Sequence, residues 1–165
     1  MDGLFRAGVL TISDKGSRGE RADESGKTAA DMLRAAGLDP VKYGIVPDNI
    51  RQIADTLIDW ADRERLSLIV TSGGTGLSPT DLTPQAMREV IDYEVPGIAE
   101  AMRAESLKKT PHAMLSRAVA GVRGACLIIN LPGSPRGVRE NLEAVMPALK
   151  HGLEKLSGDP ADCAR

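Results

Sequence analysis

Short apolar runs alternate with amphipathic helical patterns along the first half of the chain. Runs rich in β-branched residues predict strands at residues 4–12, 40–46 and 66–71. Apolar positions at helical spacing predict one helix that begins at Ser25 and a second that follows Asp48. Strands that alternate with helices indicate right-handed βαβ units and a parallel sheet. The pattern therefore predicts an α/β fold.

The second half of the chain continues this pattern with a change of strand direction. Helices are predicted at residues 84–90, at 96–109 and from Pro135 onward. Two further strands, at 114–122 and 125–130, are separated only by a tight turn at 123–124, which is typical of an antiparallel pair. The predicted architecture is a single-domain three-layer sandwich over residues 1–165. It has a mostly parallel sheet with one antiparallel edge, helices on both faces and a loose tail at 158–165.

Composition agrees with one compact domain and limits its partners. A chain of 165 residues with 42% hydrophobic residues buries roughly 70% of the surface that its unfolded form exposes. One Phe, one Trp and two Tyr are too few for extensive stacking on nucleic-acid bases. The net charge of −2 and the pI near 5.7 provide no broad attraction to nucleic acid or to an anionic membrane. Small molecules are the expected partners.

No targeting or metal-binding motif based on cysteine or histidine is found in the sequence. No apolar run approaches the ~20 residues that span a bilayer, and no signal peptide is recognisable, so the prediction is a cytoplasmic protein. Cys126 and Cys163 do not indicate a disulfide framework. His112 and His151 offer no zinc-binding spacing with them. Any bound metal is expected to be a hard ion held by oxygen.

A glycine-rich segment directly follows the third predicted strand. It consists of Ser72, Gly73, Gly74, Thr75 and Gly76. Closely spaced glycines let backbone N–H groups approach an anion, although a tight turn between strand and helix is the simpler interpretation. A Walker A loop is excluded because Leu77 stands where that motif has Lys, and a dinucleotide fingerprint would need glycine at Pro79. Spacing alone therefore permits a phosphate or nucleotide loop.

Three aspartates and a second glycine loop follow other predicted strand ends. Asp14 and Asp48 come after the first two strands, and Asp81 follows the glycine segment, ahead of a helix start at Thr83 and Pro84. The second loop consists of Leu131, Pro132, Gly133 and Ser134. Ligands of parallel α/β sheets bind outside the carboxyl ends of the strands, so these groups are expected to converge. Asp48 taken alone is more readily explained as a helix N-cap than as a catalytic residue, and Thr83 is expected to cap its own helix.

Carboxylates beside phosphate-binding loops indicate a divalent cation. Helix starts and bare N–H groups attract phosphate, whereas carboxylates repel it unless Mg²⁺ lies between them. A magnesium nucleotide is the simplest ligand that uses both kinds of group. Lys15, Arg117 and Arg136 adjoin the loops and are candidates for phosphate contacts, with a solvated surface role as the alternative.

Five segments of the chain resemble, in order, the MogA/MoaB family of molybdenum cofactor biosynthesis proteins. They read VLTISDKGSRGERADESG at 9–26, VPD at 46–48, SGGTGLSPTDLTPQA at 72–86, MLSRAV at 114–119 and IINLPGSP at 128–135. The resemblance extends from about residue 4 to about residue 153. It implies an enzyme that transfers AMP from ATP to the terminal phosphate of molybdopterin and releases pyrophosphate, with Mg²⁺ as cofactor.

The resemblance also implies roles for individual residues. Asp48 and Asp81 match the two aspartates that the family needs for turnover, and both are expected to position Mg²⁺. The residues expected to bind nucleotide or pterin are Ser13, Asp14, Ser25, Gly26, Ser72, Gly73, Gly74, Thr75, Gly76, Thr83, Ser116, Leu131, Pro132, Gly133 and Ser134.

The family resemblance also implies an oligomeric state and leaves alternative functions open. Its members form homotrimers, so a trimer is expected, with a hexamer as a variant, and the molybdenum-insertion protein of the pathway is a candidate partner. A MoaB-like molybdopterin or nucleotide-binding protein and a non-catalytic trimeric scaffold remain open alternatives. A nicotinamide oxidoreductase is disfavoured because the first strand leads into SDKGSRG instead of a glycine fingerprint.

Overall fold

A computed structural model describes residues 4–160. Its six strands form one sheet in the order β2-β1-β3-β6-β5-β4. The strands are β1 (Arg6–Ile12), β2 (Asp39–Val46), β3 (Leu68–Ser72), β4 (Tyr93–Glu94), β5 (Ala120–Arg123) and β6 (Cys126–Leu131). β2, β1, β3 and β6 are parallel, whereas β5 and β4 run antiparallel to their neighbours. This confirms the predicted sheet with its antiparallel edge.

Six α-helices connect or flank these strands. They are α1 (Asp14–Ser17), α2 (Glu24–Ala35), α3 (Ile50–Ile58), α4 (Thr83–Val90), α5 (Pro96–Leu107) and α6 (Pro135–Leu156). A π-helical segment, Asp59–Arg63, extends α3, and a 3₁₀-helix, Pro111–Leu115, follows α5. The predicted loose tail begins just after α6, and its residues 161–165 lie outside the described part of the chain, as does Cys163.

Two apolar clusters cover the opposite faces of the sheet. One joins strand side chains to α2, α5 and α6, and the other joins them to α3, α4 and the π-helical segment. Ile69 and Val70 belong to different clusters because successive side chains of a strand point to opposite faces. Trp60 packs on β1 where Gly8 leaves room, since a Cβ at Gly8 would lie 2.7 Å from Trp60 Cε3. The architecture is therefore the predicted three-layer sandwich.

Two helix starts differ from the sequence prediction. α2 begins at Glu24 and is capped by Asp23, whose carboxylate accepts a hydrogen bond from Gly26 N–H at 2.9 Å. α3 is capped by Asn49, which rules out the alternative interpretation of Asp48 as its N-cap. Asp48 is unavailable for capping because its carboxylate accepts the backbone N–H of another loop.

The start of α4 also differs. The sequence predicts Thr83 as the cap of this helix, but Thr83 is the first helical residue and Leu82 occupies the cap position. The Thr83 hydroxyl donates instead to the carbonyl of Gly73 at 2.9 Å. The side chain therefore joins the helix to the glycine loop.

The strand predicted at 114–122 is too long. Only Ala120–Arg123 is strand, because the preceding backbone bonds to loops: Arg117 N–H donates to the carbonyl of Thr75, and Val119 N–H donates to Asn130 Oδ1. The short strand β4 and the helix α1 were not predicted. Each is too short, at two and four residues, to produce a recognisable hydrophobic period.

The expectations about membrane-spanning segments and about cysteine can be compared with the described residues. Within residues 4–160, no helix combines the length and apolar character needed to cross a membrane. Cys126 is a buried free thiol on β6, and burial raises its pKa to about 12. This cysteine is therefore a core residue without thiolate character near neutral pH.

Candidate active site

The carboxyl ends of four parallel strands meet at one edge of the sheet. Thr11 pairs with Ser72, and Ser72 pairs with Leu131, so the two glycine loops leave the sheet side by side. A cavity of about 430 Å³ lies there and is called the first cavity. It is lined by Thr11, Ile12, Ser13, Gly16, Arg21, Ala22, Asp23, Glu24, Ser25, Asp48, Ser72, Gly73, Gly74, Asp81, Gly133 and Pro135.

Asp48 and Asp81 approach the same glycine loop from different elements. A Cβ placed on Gly74 would lie 3.3 Å from Asp48 Oδ1, and one placed on Gly76 would lie 2.8 Å from Asp81 Oδ2. Asp81 is held by Ser78, whose backbone N–H donates to Asp81 Oδ2 at 3.0 Å. The two carboxylates therefore share one cavity wall, although 33 positions separate them in the sequence.

The Asp48 carboxyl is the electrostatically perturbed group of the first cavity. Partial burial raises its pKa, and the negative charges of Asp14 and Asp81 act in the same direction, while a hydrogen bond from the Asp14 backbone acts against them. Ionisation of the Asp48 carboxyl is therefore less favourable than that of an exposed aspartate. A cation between the carboxylates would offset only the part of the shift that comes from the neighbouring negative charges.

The donor set of the first cavity fits Mg²⁺ with a phosphate-bearing substrate. Among the described residues, no group of three or more His, Cys, Asp and Glu side chains is placed to hold a metal by itself. Mg²⁺ is usually held by one or two carboxylates, with substrate phosphates and waters completing its shell. Asp48 and Asp81 both line the first cavity, as do the carboxylates of Asp23 and Glu24.

A second cavity of about 420 Å³ opens on the other side of the glycine loops. It is lined by Thr75, Gly76, Arg103, Ser106, Lys109, Thr110, His112, Ala113, Leu115, Ser116, Pro132, Ser134, Arg136, Gly137, Glu140 and Asn141. Three of these side chains are cationic at neutral pH and one is acidic. With three cations against one carboxylate, the second cavity is suited to an anionic molecule.

The two glycine loops separate the cavities and are fastened to each other. Ser72 Oγ donates to the carbonyl of Pro132 at 3.0 Å, and Ser25 Oγ donates to the carbonyl of Gly133 at 2.7 Å. A Cβ at Gly133 would lie 3.5 Å from the Cα of Gly73. Residues that are adjacent in the chain therefore line different cavities: Gly74 and Gly133 line the first, and Thr75 and Pro132 line the second.

The predicted site residues divide between the two cavities. The first cavity includes Ser13, Ser25, Ser72, Gly73, Gly74, Gly133 and both predicted catalytic aspartates. The second includes Thr75, Gly76, Ser116, Pro132 and Ser134. Ser134 also caps α6 as predicted, accepting a hydrogen bond from Gly137 N–H.

Four predicted binding residues line neither cavity. Asp14 binds the Asp48 backbone, Gly26 packs against Asp23, Thr83 is completely buried, and Leu131 belongs to the core. Their binding roles remain predictions. The contacts observed for them are contacts that hold the loops in place.

The three candidate cations have different surroundings. Arg136 lines the second cavity and bonds Glu140 at 2.8 Å. Lys15 is exposed on α1 and lines neither cavity. Arg117 also lines neither, because its guanidinium is bound to backbone carbonyls of the loop that ends at Asp81.

Sequence reasoning missed several polar residues that line the two cavities, among them two arginines, a lysine and an aspartate. Arg21 and Asp23 line the first, and Arg103 and Lys109 line the second. Asp23 could have been found from its position three residues before Gly26, the spacing of a helix cap. Of the other three, Arg21 lies in a polar loop, Arg103 lies within α5 and Lys109 lies just after that helix, and no local pattern distinguishes them.

Asp23 connects the first cavity to the edge of the sheet. Its Oδ2 accepts hydrogen bonds from the Tyr43 hydroxyl and from Thr11 Oγ1, the latter at 2.6 Å. Burial and the neighbouring Asp23 raise the pKa of the Tyr43 hydroxyl, so it remains a donor. The loop between α1 and α2 is thereby fastened to β1 and β2.

The fold and the site together define a class of protein. It is an α/β domain with two glycine loops and paired carboxylates at the carboxyl edge of a parallel sheet, an arrangement suited to a phosphate-bearing ligand. Residues 8–151 match the family described as "Probable molybdopterin binding domain". The chain belongs to this family, which confirms the resemblance found in the sequence.

Curated relatives and solved structures agree with this assignment. The chain is 44% identical over 154 residues to the molybdopterin adenylyltransferase of Helicobacter pylori strain J99, covering 92% of this chain and 88% of that protein. It is 39% identical over 155 residues to the Escherichia coli K12 enzyme of the same name, covering 90% and 80%. The crystal structure of the molybdopterin biosynthesis enzyme MoaB from Thermus thermophilus matches with a TM-score of 0.90 at 54% identity, covering 96% of this chain and 100% of that one.

Proposed function

We propose that this protein is a molybdopterin adenylyltransferase that transfers AMP from ATP to the terminal phosphate of molybdopterin and releases pyrophosphate. The observation that carries the proposal is the shared wall: Asp48 and Asp81 lie against one glycine loop, and the opposite side of that loop faces a second cavity. A transfer between two bound substrates needs two adjoining sites.

The two cavities differ in charge, and this supports an assignment of the substrates. The first cavity holds the triphosphate of ATP beside Asp48 and Asp81. The second cavity holds molybdopterin, whose phosphate is attracted by Arg103, Lys109 and Arg136. The glycine loops then lie next to the α-phosphorus, where the two substrates meet.

The chemistry is an in-line displacement at phosphorus. An oxygen of the molybdopterin phosphate forms a bond to the α-phosphorus, and the bond from that phosphorus to the α,β-bridging oxygen breaks, so pyrophosphate leaves. The attacking phosphate is largely dianionic near pH 7, because its second pKa is about 6, and no general base is needed. The residues of this chain position the two phosphates and stabilise the charge that develops.

Asp48 and Asp81 are the proposed ligands of Mg²⁺. The metal supplies charge neutralisation for the leaving pyrophosphate when it is bound. The aspartates would hold the metal beside the glycine loop, where it faces the triphosphate end of ATP. The raised pKa of Asp48 supports this role, because a carboxylate that is disfavoured without a cation is stabilised by one.

A direct assay tests the proposal. The purified protein is incubated with Mg²⁺, molybdopterin and ATP labelled at the α-phosphate, and the pterin fraction is analysed for label. Labelled adenylyl-molybdopterin together with one equivalent of pyrophosphate is the expected result. Tight binding of both substrates without product would contradict the enzyme and support a binding protein or scaffold.

A second candidate is a MoaB-like molybdopterin or nucleotide-binding protein. It is favoured by the 54% identity to the Thermus thermophilus protein, whose name contains MoaB. The same assay distinguishes the two candidates, because only the adenylyltransferase forms labelled product.

Assembly is proposed from the family resemblance. We expect a homotrimer, with a hexamer as the larger alternative, and delivery of the product to a molybdenum-insertion protein. Exposed apolar side chains such as Leu77, Tyr93 and Met114 are available for subunit contacts. Light scattering on the purified protein gives the number of subunits. The cytoplasmic location stays a prediction.

A further inference from the structure

Two residues bind all four consecutive carbonyl groups of the glycine loop at 73–76. Thr83 donates from its hydroxyl to the carbonyl of Gly73 at 2.9 Å and from its backbone N–H to that of Gly74 at 3.1 Å. Arg117 donates from its backbone N–H to the carbonyl of Thr75 at 2.8 Å and from Nε to that of Gly76 at 2.8 Å. The carbonyl side of the loop is therefore completely occupied by protein.

Peptide geometry then determines where the N–H groups of the loop point. The C=O and N–H of a trans peptide point in opposite directions, and the described chain has no cis peptide bond. The N–H groups of residues 74–77 are thus turned away from Thr83 and Arg117. Positive φ angles of 106° at Gly73 and 67° at Gly74 permit the change of direction that this requires. Successive N–H groups on one side of a loop form an anion-binding concavity.

Arg117 also closes the loop that carries Asp81. Its Nη2 donates to the carbonyl of Asp81 at 2.6 Å, and its Nη1 donates to Gln85 Oε1 on α4 at 3.2 Å. With the bond from Nε, one planar group connects the two ends of the 76–81 loop to each other and to α4. Lys cannot reproduce three diverging bonds, because its ammonium is a single point of charge.

We propose that Arg117 is a positioning residue, which orients the glycine-loop N–H groups toward the phosphate groups that meet at this loop between the two cavities and places the Asp81 carboxylate beside them. It acts through the backbone and does not touch the substrate, in contrast to the phosphate contact expected from the sequence. This inference rests on the proposed function for the identity of the ligand. Thr83 performs the corresponding task at the start of the loop.

The test is a binding measurement that does not require turnover. The full-length protein is labelled with ¹⁵N and titrated with pyrophosphate in the presence of Mg²⁺, and the amide signals of residues 74–77 are followed. The wild type is compared with Arg117→Lys. The matched control is Arg123→Lys, because Arg123 also holds a backbone carbonyl and a carboxylate, those of Val90 and Asp62, and lines neither cavity.

We expect pyrophosphate to shift the amides of residues 74–77 in the wild type and in Arg123→Lys with similar affinity. Arg117→Lys should bind at least tenfold more weakly while its other amide signals stay in place. In the adenylylation assay it should lower kcat at saturating ATP and molybdopterin, and it should need more Mg²⁺ for half-maximal rate. Arg123→Lys should change neither quantity.

Several results would overturn the positioning role. One such result is equal pyrophosphate affinity in Arg117→Lys and the wild type. Another is that pyrophosphate does not shift the amide signals of residues 74–77 in the wild type. Loss of dispersed amide signals throughout Arg117→Lys would make Arg117 a general folding residue and would also contradict the proposal. If the wild type binds pyrophosphate at this loop but forms no adenylylated pterin, the proposed function fails and the positioning role stands.

Discussion

Asp14 and Asp48 are joined by two reciprocal hydrogen bonds, in which the backbone N–H of each residue donates to the carboxylate of the other. Asp14 N–H donates to Asp48 Oδ2 at 3.1 Å, and Asp48 N–H donates to Asp14 Oδ1 at 2.9 Å. The exchange joins the loops that follow β1 and β2, and it uses one oxygen of Asp48 while Oδ1 faces Gly74. Two like charges are thus held close together, which costs stability and prepares a position for a cation.

Asp48→Asn should make the protein more stable and less active. The pKa of Asp48 is raised, so the folded protein holds the carboxyl proton more tightly than the unfolded chain does, and stability falls as the pH rises from the ordinary value of 3.8 through the folded-state pKa. At pH 7 we expect the variant to gain at most about 1 kcal/mol in free energy of unfolding, the range of partly exposed charge interactions. Urea unfolding at several pH values measures this.

The advantage of Asp48→Asn should disappear below pH 3.8, where the wild-type carboxyl is protonated in both states. Asp55→Asn is the matched control, because Asp55 is exposed on α3 and lines neither cavity. A variant that is less stable than the wild type at pH 7 would show that the hydrogen bonds of Asp48 outweigh its charge.

Asp81→Asn should abolish most turnover without unfolding the protein. The amide keeps an oxygen that can accept from Ser78 N–H but loses the negative charge that is proposed to bind Mg²⁺. We expect turnover to fall at least ~10²-fold, a barrier increase of about 2.7 kcal/mol or more, with molybdopterin binding retained. Steady-state kinetics and a pterin-binding titration measure the two effects.

The control for Asp81→Asn is Asp92→Asn. Asp92 also accepts a backbone N–H, that of Gly124 at 2.7 Å, but it lies at the far edge of the sheet and lines neither cavity. Normal turnover in Asp81→Asn would refute the assigned role of this carboxylate.

Tyr43→Phe should loosen the wall of the first cavity. It removes a donor to Asp23, which keeps its bond from Thr11, so the expected loss of stability is about 0.5–1.5 kcal/mol. Because Asp23 lines the first cavity, the KM for ATP should rise while the KM for molybdopterin stays the same. Chemical unfolding and two-substrate kinetics measure these changes.

The dependence of the free energy of unfolding on pH in the alkaline range gives a second test of the role of the Tyr43 hydroxyl. The raised pKa of Tyr43 means that stability is complete below pH 10.0, the ordinary value, and is lost as the pH rises above it. The Phe variant should not show this loss. Tyr93→Phe, an exposed tyrosine on β4, is the control and should behave as the wild type does. If Tyr43→Phe loses stability at alkaline pH as the wild type does, the role given to this hydroxyl is contradicted.

Arg136→Gln should affect the pterin substrate selectively. Arg136 lines the second cavity at the start of α6, and loss of its positive charge weakens the attraction of the substrate phosphate, so the KM for molybdopterin should rise a few-fold. The KM for ATP should not change. Arg139→Gln removes the same charge from an exposed position of α6 outside both cavities and is the control. A rise in the KM for ATP instead would reverse the assignment of the two cavities.

Local sequence patterns predicted a strand or a helix start correctly where it depends only on residues within that element. The β-branched run at Leu68–Ser72 predicts a buried strand, and the Ser134 and Pro135 pair predicts the start of α6, because strand burial and helix capping depend on neighbouring residues. The family blocks around residues 48, 72–86 and 131–135 identified the cavity walls. The predictions failed for short elements and for some helix caps, where a contact with a distant residue outweighs local preference. Asp48 is an example, because its carboxylate accepts the backbone N–H of Asp14 and does not cap α3.

The sequence alone determined the layered α/β architecture, the family and the identity of the paired aspartates, since hydrophobic periodicity and contiguous motifs are properties of the linear chain. Only the tertiary structure decided that the loops divide two cavities and that Arg117 binds the loop carbonyls. The physical reason is that a guanidinium beside a phosphate and one beside a carbonyl look identical in sequence. The position of Arg117 depends on the pairing of strands more than thirty residues apart.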